Sequence, residues 1–161
     1  MYDKTLVIDG LLNIEETLLH VIERTSWIKT AKDFATTPKG VDILDVATIR
    51  LMAVGEEIKK IDKRTKGQLL VQYPNIDWKK ITDMRNFIAH EYFRVDAVDI
   101  FDTVQNNVQP LLATIQQMIA DLGNVQRASS RKYHFENKVL PESVVENRTE
   151  KKVQPNNEVE E

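Results

Sequence analysis

Residues 6–27, LVIDGLLNIEETLLHVIERTSW, place Leu11, Ile14, Leu18, Val21 and Ile22 at the three- and four-residue intervals that line one side of a helix. A half-buried strand would instead alternate apolar and polar positions, and no such alternation is sustained here. The stretch predicts a helix from about Leu6 to Trp27, with those five side chains turned inward. His20 is the one histidine on it and is expected at the surface or packed on a partner.

The same spacing returns downstream. Thr36-Thr37-Pro38-Lys39-Gly40 interrupts the chain. A second helix is expected from Val41 to Arg64, with Ile43, Val46, Ile49, Ala53, Ile58 and Ile61 as its buried stripe. Gly55 falls inside it, where glycine costs about 1 kcal/mol against alanine, so a close helix crossing is expected there. Tyr73-Pro74-Asn75 marks a connector. Asp77 is a plausible N-cap for a third helix, Trp78 to about Glu91, anchored by Trp78 and Ile81. Asp96 caps a last helix running to Leu122 on Phe101, Val104, Val108, Leu111, Ile115, Met118 and Leu122. Pro110 should bend that helix, since it removes a backbone hydrogen bond. The fold class that follows is all-α, an antiparallel bundle of four to five helices over residues 1–122.

Gly123 ends the pattern. Residues 123–161 mix charges, prolines and asparagines and close on Glu158-Val159-Glu160-Glu161. A largely disordered charged tail is expected, with Tyr133-His134-Phe135 and Val139-Leu140 as segments that could dock. A length of 161 residues suits one domain with such an appendage. The absence of cysteine removes disulfides, thiolate zinc sites and cysteine nucleophiles, and three histidines are too few for a histidine-rich metal site. The N-terminus lacks the basic-then-apolar run of a secretory signal, and no apolar stretch reaches the roughly 20 residues a bilayer requires, so the cytoplasm is the expected address and no membrane partner is expected. A net charge of −3 speaks against a broadly basic nucleic-acid-binding surface, but not against RNA held by a local patch. The densest basic run, with Lys59, Lys60, Lys63 and Arg64, either complements the dipole at a helix end or touches an RNA backbone.

Chemistry concentrates in Arg85-Asn86-Phe87-Ile88-Ala89-His90-Glu91-Tyr92, which gathers a cation, an amide, an imidazole and a phenol. Asn86 and His90 are four apart and share a helix face, and the long side chain of Arg85 can reach the same rim. His90 falls in the last helical turn, where the partial negative charge favours imidazolium. Such a group suits a phosphate, although by residue types alone a set like this at a helix end is more often a capping network than an active site. Asp42 and Asp45, like Glu56 and Glu57, lack a third metal ligand at a convincing spacing. No Walker loop, dinucleotide fingerprint or His-Glu-x-x-His site is present, and no cofactor is expected.

The eight-residue string resembles the Arg-x4-His-x-Tyr motif of the HepT branch of the HEPN superfamily. Two flanks strengthen the likeness. Val54-Gly55-Glu56-Glu57-Ile58-Lys59-Lys60 is similar to that family's Gly-Glu-Ala helix segment. Tyr73-Pro74-Asn75-Ile76-Asp77-Trp78-Lys79-Lys80-Ile81 is similar to its Pro-x-x-x-Trp approach to the motif helix, with Asp77 where the family often has proline. The resemblance spans residues 6–122 and implies a metal-independent endoribonuclease in which a ribose 2′-hydroxyl attacks its own phosphodiester. It implies His90 as general acid/base, Arg85 as the stabiliser of the phosphorane charge, and Asn86 as the residue that orients His90 or donates to a phosphate oxygen. It further implies a homodimer with two motifs across one cleft, an MntA-like nucleotidyltransferase antitoxin, and Tyr92 as the acceptor of AMP. Two other readings stand beside this one. One is a non-catalytic helical module that binds a nucleotidyltransferase or a nucleotide, and the other is a structural bundle recruiting partners through its acidic tail.

Overall fold

The computed structural model describes residues 2–123, so the expected tail lies outside the described residues from Asn124 onward. Six helices are present among them. The first, α1 (Lys4–Thr25), is capped by Asp3, whose carboxylate accepts from the Thr5 and Leu6 amides at 2.9 and 3.3 Å. Its inward stripe is Val7, Leu11, Ile14, Leu18 and Val21, as the spacing predicts, with Ile22 at the margin.

A short α2 (Ala31–Ala35) follows that the periodicity does not reveal, because five residues are too few to show a period. Asp33 folds back to accept from the Lys29 and Thr30 amides at 2.7 and 2.8 Å, and those two bonds hold its carboxyl below the usual carboxylate range. The helix exists to bury one side chain, Phe34.

Pro38 does not end the interruption; it opens α3 (Pro38–Arg64) at the first helical position, where its missing N–H costs nothing. Thr37 caps the helix by accepting from Gly40 at 3.0 Å. This helix is the centre of the bundle, touching α1, α2, the motif helix α4 (Trp78–His90) and α5 (Ala97–Asn106). Covered on several flanks, it buries Ile43, Ala47, Thr48, Leu51, Val54, Ile58 and Ile61. Two residues expected inward, Ile49 and Ala53, are exposed, and Val46 is only partly buried. A single stripe misjudges a helix packed on more than one side.

The expected last helix is two. It breaks at Asn107 into α5 and α6 (Val108–Leu122). Pro110 is the cause: inside one continuous helix its ring would collide with the carbonyl of Asn106, four residues back. Restarting at Val108 puts Pro110 in the first turn of α6, where no intrahelical donor is missed. Asp96 caps α5 as expected, accepting from Val98 at 2.8 Å. Phe34, Leu11, Leu18, Ile58, Ile100 and Met118 fill the core where α1, α2, α3, α5 and α6 meet. Among the described residues no helix is long and apolar enough to cross a membrane.

The link from α3 to α4 fixes where the motif helix begins. A 3-10 turn at Leu70–Gln72 drops Leu69 and Leu70 into the core. Tyr73 then donates its hydroxyl to Asp121 at 2.6 Å, Asn75 donates to Thr114 at 2.8 Å, and the Trp78 indole donates to the Tyr73 carbonyl at 2.9 Å. Asp77 caps α4 by accepting from Lys80 at 2.9 Å.

Candidate active site

The motif helix lies at the edge of the bundle. Its wholly buried residue is Ile88; Trp78, Ile81 and Met84 are partly buried against the core, and Phe87, Ala89 and His90 face outward. Its packing partner is α3, and the crossing occurs at Gly55. A Cβ there would stand 2.5 Å from Arg85 Cβ and 3.3 Å from the Ile81 carbonyl oxygen, so glycine is what lets the two helices approach this closely.

That crossing seats Arg85. Its side chain is only 21% exposed, it forms an ion pair with Glu56 through Nη2, and it donates from Nη1 to Asn86 Oδ1 at 2.7 Å. Its Nε is buried and has no hydrogen-bond partner. Asn86 is therefore joined to Arg85 rather than to His90. His90 is the last residue of α4, exposed at the helix end, and among the described residues it makes no hydrogen bond to Arg85 or Asn86. Neither group sits in a dry interior.

The chain leaves α4 through a second 3-10 turn, Tyr92–Arg94. Tyr92 donates its hydroxyl to Asp45 Oδ1 of α3 at 2.9 Å, and this bond, with some burial, raises the phenol above its ordinary range. Phe93 stands wholly exposed, edge-on to Tyr92 with ring centroids 6.0 Å apart. Asp45 and Glu56 thus hold the motif residues, a contact the sequence did not reveal: Asp45 was weighed only as a metal ligand, and Glu56 as a metal ligand and as part of the family-like Gly-Glu segment.

The basic run sits elsewhere on α3. Lys60 and Arg64 lie 3.2 and 3.6 Å from Glu57, whose carboxylate borders Gly10 of α1, while Lys59 and Lys63 are exposed. His20 accepts from Arg24 at 3.4 Å; partial burial and then the charges of Arg50 and Arg24 lower its pKa, while His134 lies outside the described residues. Among the described residues no group of three His, Asp or Glu side chains stands at metal-holding distance. A cavity of about 420 Å³ opens beside Ile81, Met84, Asn107 and Pro110, and its lining includes neither Arg85, His90 nor Tyr92.

Comparison with known proteins gives these residues a context. The family model described as "Ribonuclease HepT-like" matches residues 18–118. The chain is 32% identical over 77 residues to "Putative RNase MJ0125" of Methanocaldococcus jannaschii, covering 47% of this chain and 63% of that protein. It is 28% identical over 100 residues to "Putative RNase TTE0752" of Caldanaerobacter subterraneus subsp. tengcongensis, covering 62% of this chain and 81% of that protein. The chain spans between 44% and 63% of the length of the four Methanocaldococcus jannaschii relatives it matches. No solved structure matches it.

Proposed function

The chain belongs to the HepT-like ribonuclease family, and on that premise we propose that it is a metal-independent endoribonuclease, the toxin of a toxin–antitoxin pair, cutting RNA with His90 and Arg85. The observation that carries the reading is the pairing of an oriented guanidinium with an exposed imidazole on one edge helix. His90 removes the proton from a ribose 2′-hydroxyl. The freed oxygen attacks the adjacent phosphorus, and the 5′-oxygen leaves with a proton from a second acid. Arg85 stabilises the extra charge on the pentacoordinate phosphorus. The single motif histidine of each chain is poorly placed to be base and acid in the same turnover, so a second copy across a two-fold axis supplies the other.

Positioned proton transfer contributes about 10² to 10⁴ in rate, and a preorganised charge-stabilising donor about 10² to 10³. Incubation with total cellular RNA should therefore give cleavage with a chelator present. His90→Ala and Arg85→Ala should lower the rate by factors of that order while leaving the thermal transition in place. Cleavage by His90→Ala at the wild-type rate would reject the assignment.

Silencing fits Tyr92. A minimal nucleotidyltransferase antitoxin would join the Tyr92 oxygen to the α-phosphorus of ATP, releasing pyrophosphate and the phenol proton. Each added nucleotide brings bulk and negative charge to the rim that must receive an RNA phosphate. Mass spectrometry of Tyr92→Phe is the check: if the AMP mass still appears on it, Tyr92 is not the acceptor.

A second reading, a non-catalytic module that binds the nucleotidyltransferase, draws on the ion pair itself, since Glu56 already balances the charge of Arg85. A tight complex with AMP gained on Tyr92, but no cleavage of any RNA, would favour it.

A further inference from the structure

Asp45 and Glu56 stand eleven residues apart on α3, about three turns, which leaves them within roughly 20° of each other around the helix axis. They are about 16 Å apart along it, too far to share a metal ion. Alongside runs α4 in the opposite direction, with Arg85 against Gly55 and Tyr92 reaching Asp45. The two acids hold the motif at two points. Glu56 takes the guanidinium at its start, and Asp45 takes the phenol just past its end. His90 lies between those points.

We propose that Asp45 and Glu56 are positioning residues for cleavage: α3 is a template whose two carboxylates fix Arg85 and the turn that follows His90, the last residue of α4. The proposal rests on the ribonuclease reading of Arg85 and His90. Three observations support a positioning role over a purely structural one. Arg85 has a long, rotatable side chain, and its Cβ on Gly55, Nη2 on Glu56 and Nη1 on Asn86 leave it one orientation. The Tyr92–Asp45 bond is a side-chain tie from the exit turn to another helix. Asp45 is exposed, where a polar pair adds little to fold stability, whereas Glu56 keeps 38% of its side chain exposed and turns a buried Oε2 toward Arg85. Geometry is what they chiefly supply.

The test uses the full chain and single-turnover cleavage of a labelled RNA. Binding is measured in parallel on the same oligonucleotide with 2′-deoxyribose at the cut site. Glu56→Ala should lower the cleavage rate about tenfold to hundredfold while affinity for the deoxy analogue changes by less than about threefold. Glu56→Gln, which keeps an acceptor, should recover part of the rate. Asp45→Ala and Tyr92→Phe should each slow cleavage, and their combination should be no slower than the worse of the two, because both remove one bond. A wild-type rate in Glu56→Ala, or additive losses at Asp45 and Tyr92, would overturn the proposal. A faster Glu56→Ala would also overturn it, since Glu56 would then be a brake.

Two readouts need no activity. Absorbance titration should show the Tyr92 phenol ionising at lower pH in Asp45→Asn than in wild type, with Tyr92→Phe identifying its step. Nitrogen NMR should show the Arg85 guanidinium restrained in wild type and freely rotating in Glu56→Ala. If wild type cleaves no RNA, the ribonuclease reading falls. A restrained Arg85 and a shifted Tyr92 would then still support the two-point hold, and a freely rotating Arg85 in wild type would overturn it.

Discussion

Tyr73 and Tyr92 each donate a phenol hydrogen bond to an aspartate on another helix, and in both cases the bond ties a connecting turn to the bundle. Tyr73 is the stronger case. Burial, and then its bond to Asp121, push its pKa up to about 12, and the same bond holds Asp121 low. A phenol with a raised folded pKa stabilises fully below its ordinary value near 10 and loses that contribution as pH climbs toward 12. Tyr73→Phe should therefore cost about 1 kcal/mol in urea melts at pH 8. That difference from wild type should shrink between pH 10 and pH 12; a constant gap would show that the bond is not its source. At this scale the sequence was readable where a residue serves its own neighbours. Asp77 and Asp96 cap helices two or three residues on. Asp45 was not readable, because the residue that explains it, Tyr92, lies 47 positions away.

Between elements, the decisive contact is the crossing of α3 and α4. Alanine at Gly55 gains about 1 kcal/mol in helix propensity but drives a methyl into Arg85 Cβ and toward the Ile81 carbonyl. Neither neighbour is the tip of a flexible chain, so the helices must separate. Overpacking of this kind costs about 1–3 kcal/mol. We expect Gly55→Ala to melt several degrees lower by circular dichroism, and to lose more cleavage than its stability loss explains, since Arg85 moves with α4. The close crossing was legible from a glycine placed where it costs most. Periodicity also gave α1 and α6 their buried faces. It gave the wrong face for the middle of α3, where α1, α2, α4 and α5 all compete for contact. It also merged α5 with α6, because the apolar spacing runs on past Asn106 while the backbone cannot.

At the scale of the molecule, the buried core among the described residues runs from Val7 to Ile119. The two-histidine mechanism makes a specific demand. When wild type is mixed with His90→Ala at constant total protein, activity should follow the square of the wild-type fraction, because mixed pairs lack an acid or a base. A linear fall would mean that one chain suffices. Helical class was open to inspection from spacing alone, which each segment carries by itself. The proposed pairing of copies rests only on the resemblance, because a surface is assembled from segments far apart in the chain. One ring beside the motif has a practical consequence. Phe93 stands entirely in water beside the motif, and covering a phenyl group yields about 2 kcal/mol, close to thirtyfold in affinity. For anyone raising an inhibitor or a binding loop against this protein, that turn offers an apolar handle next to the motif.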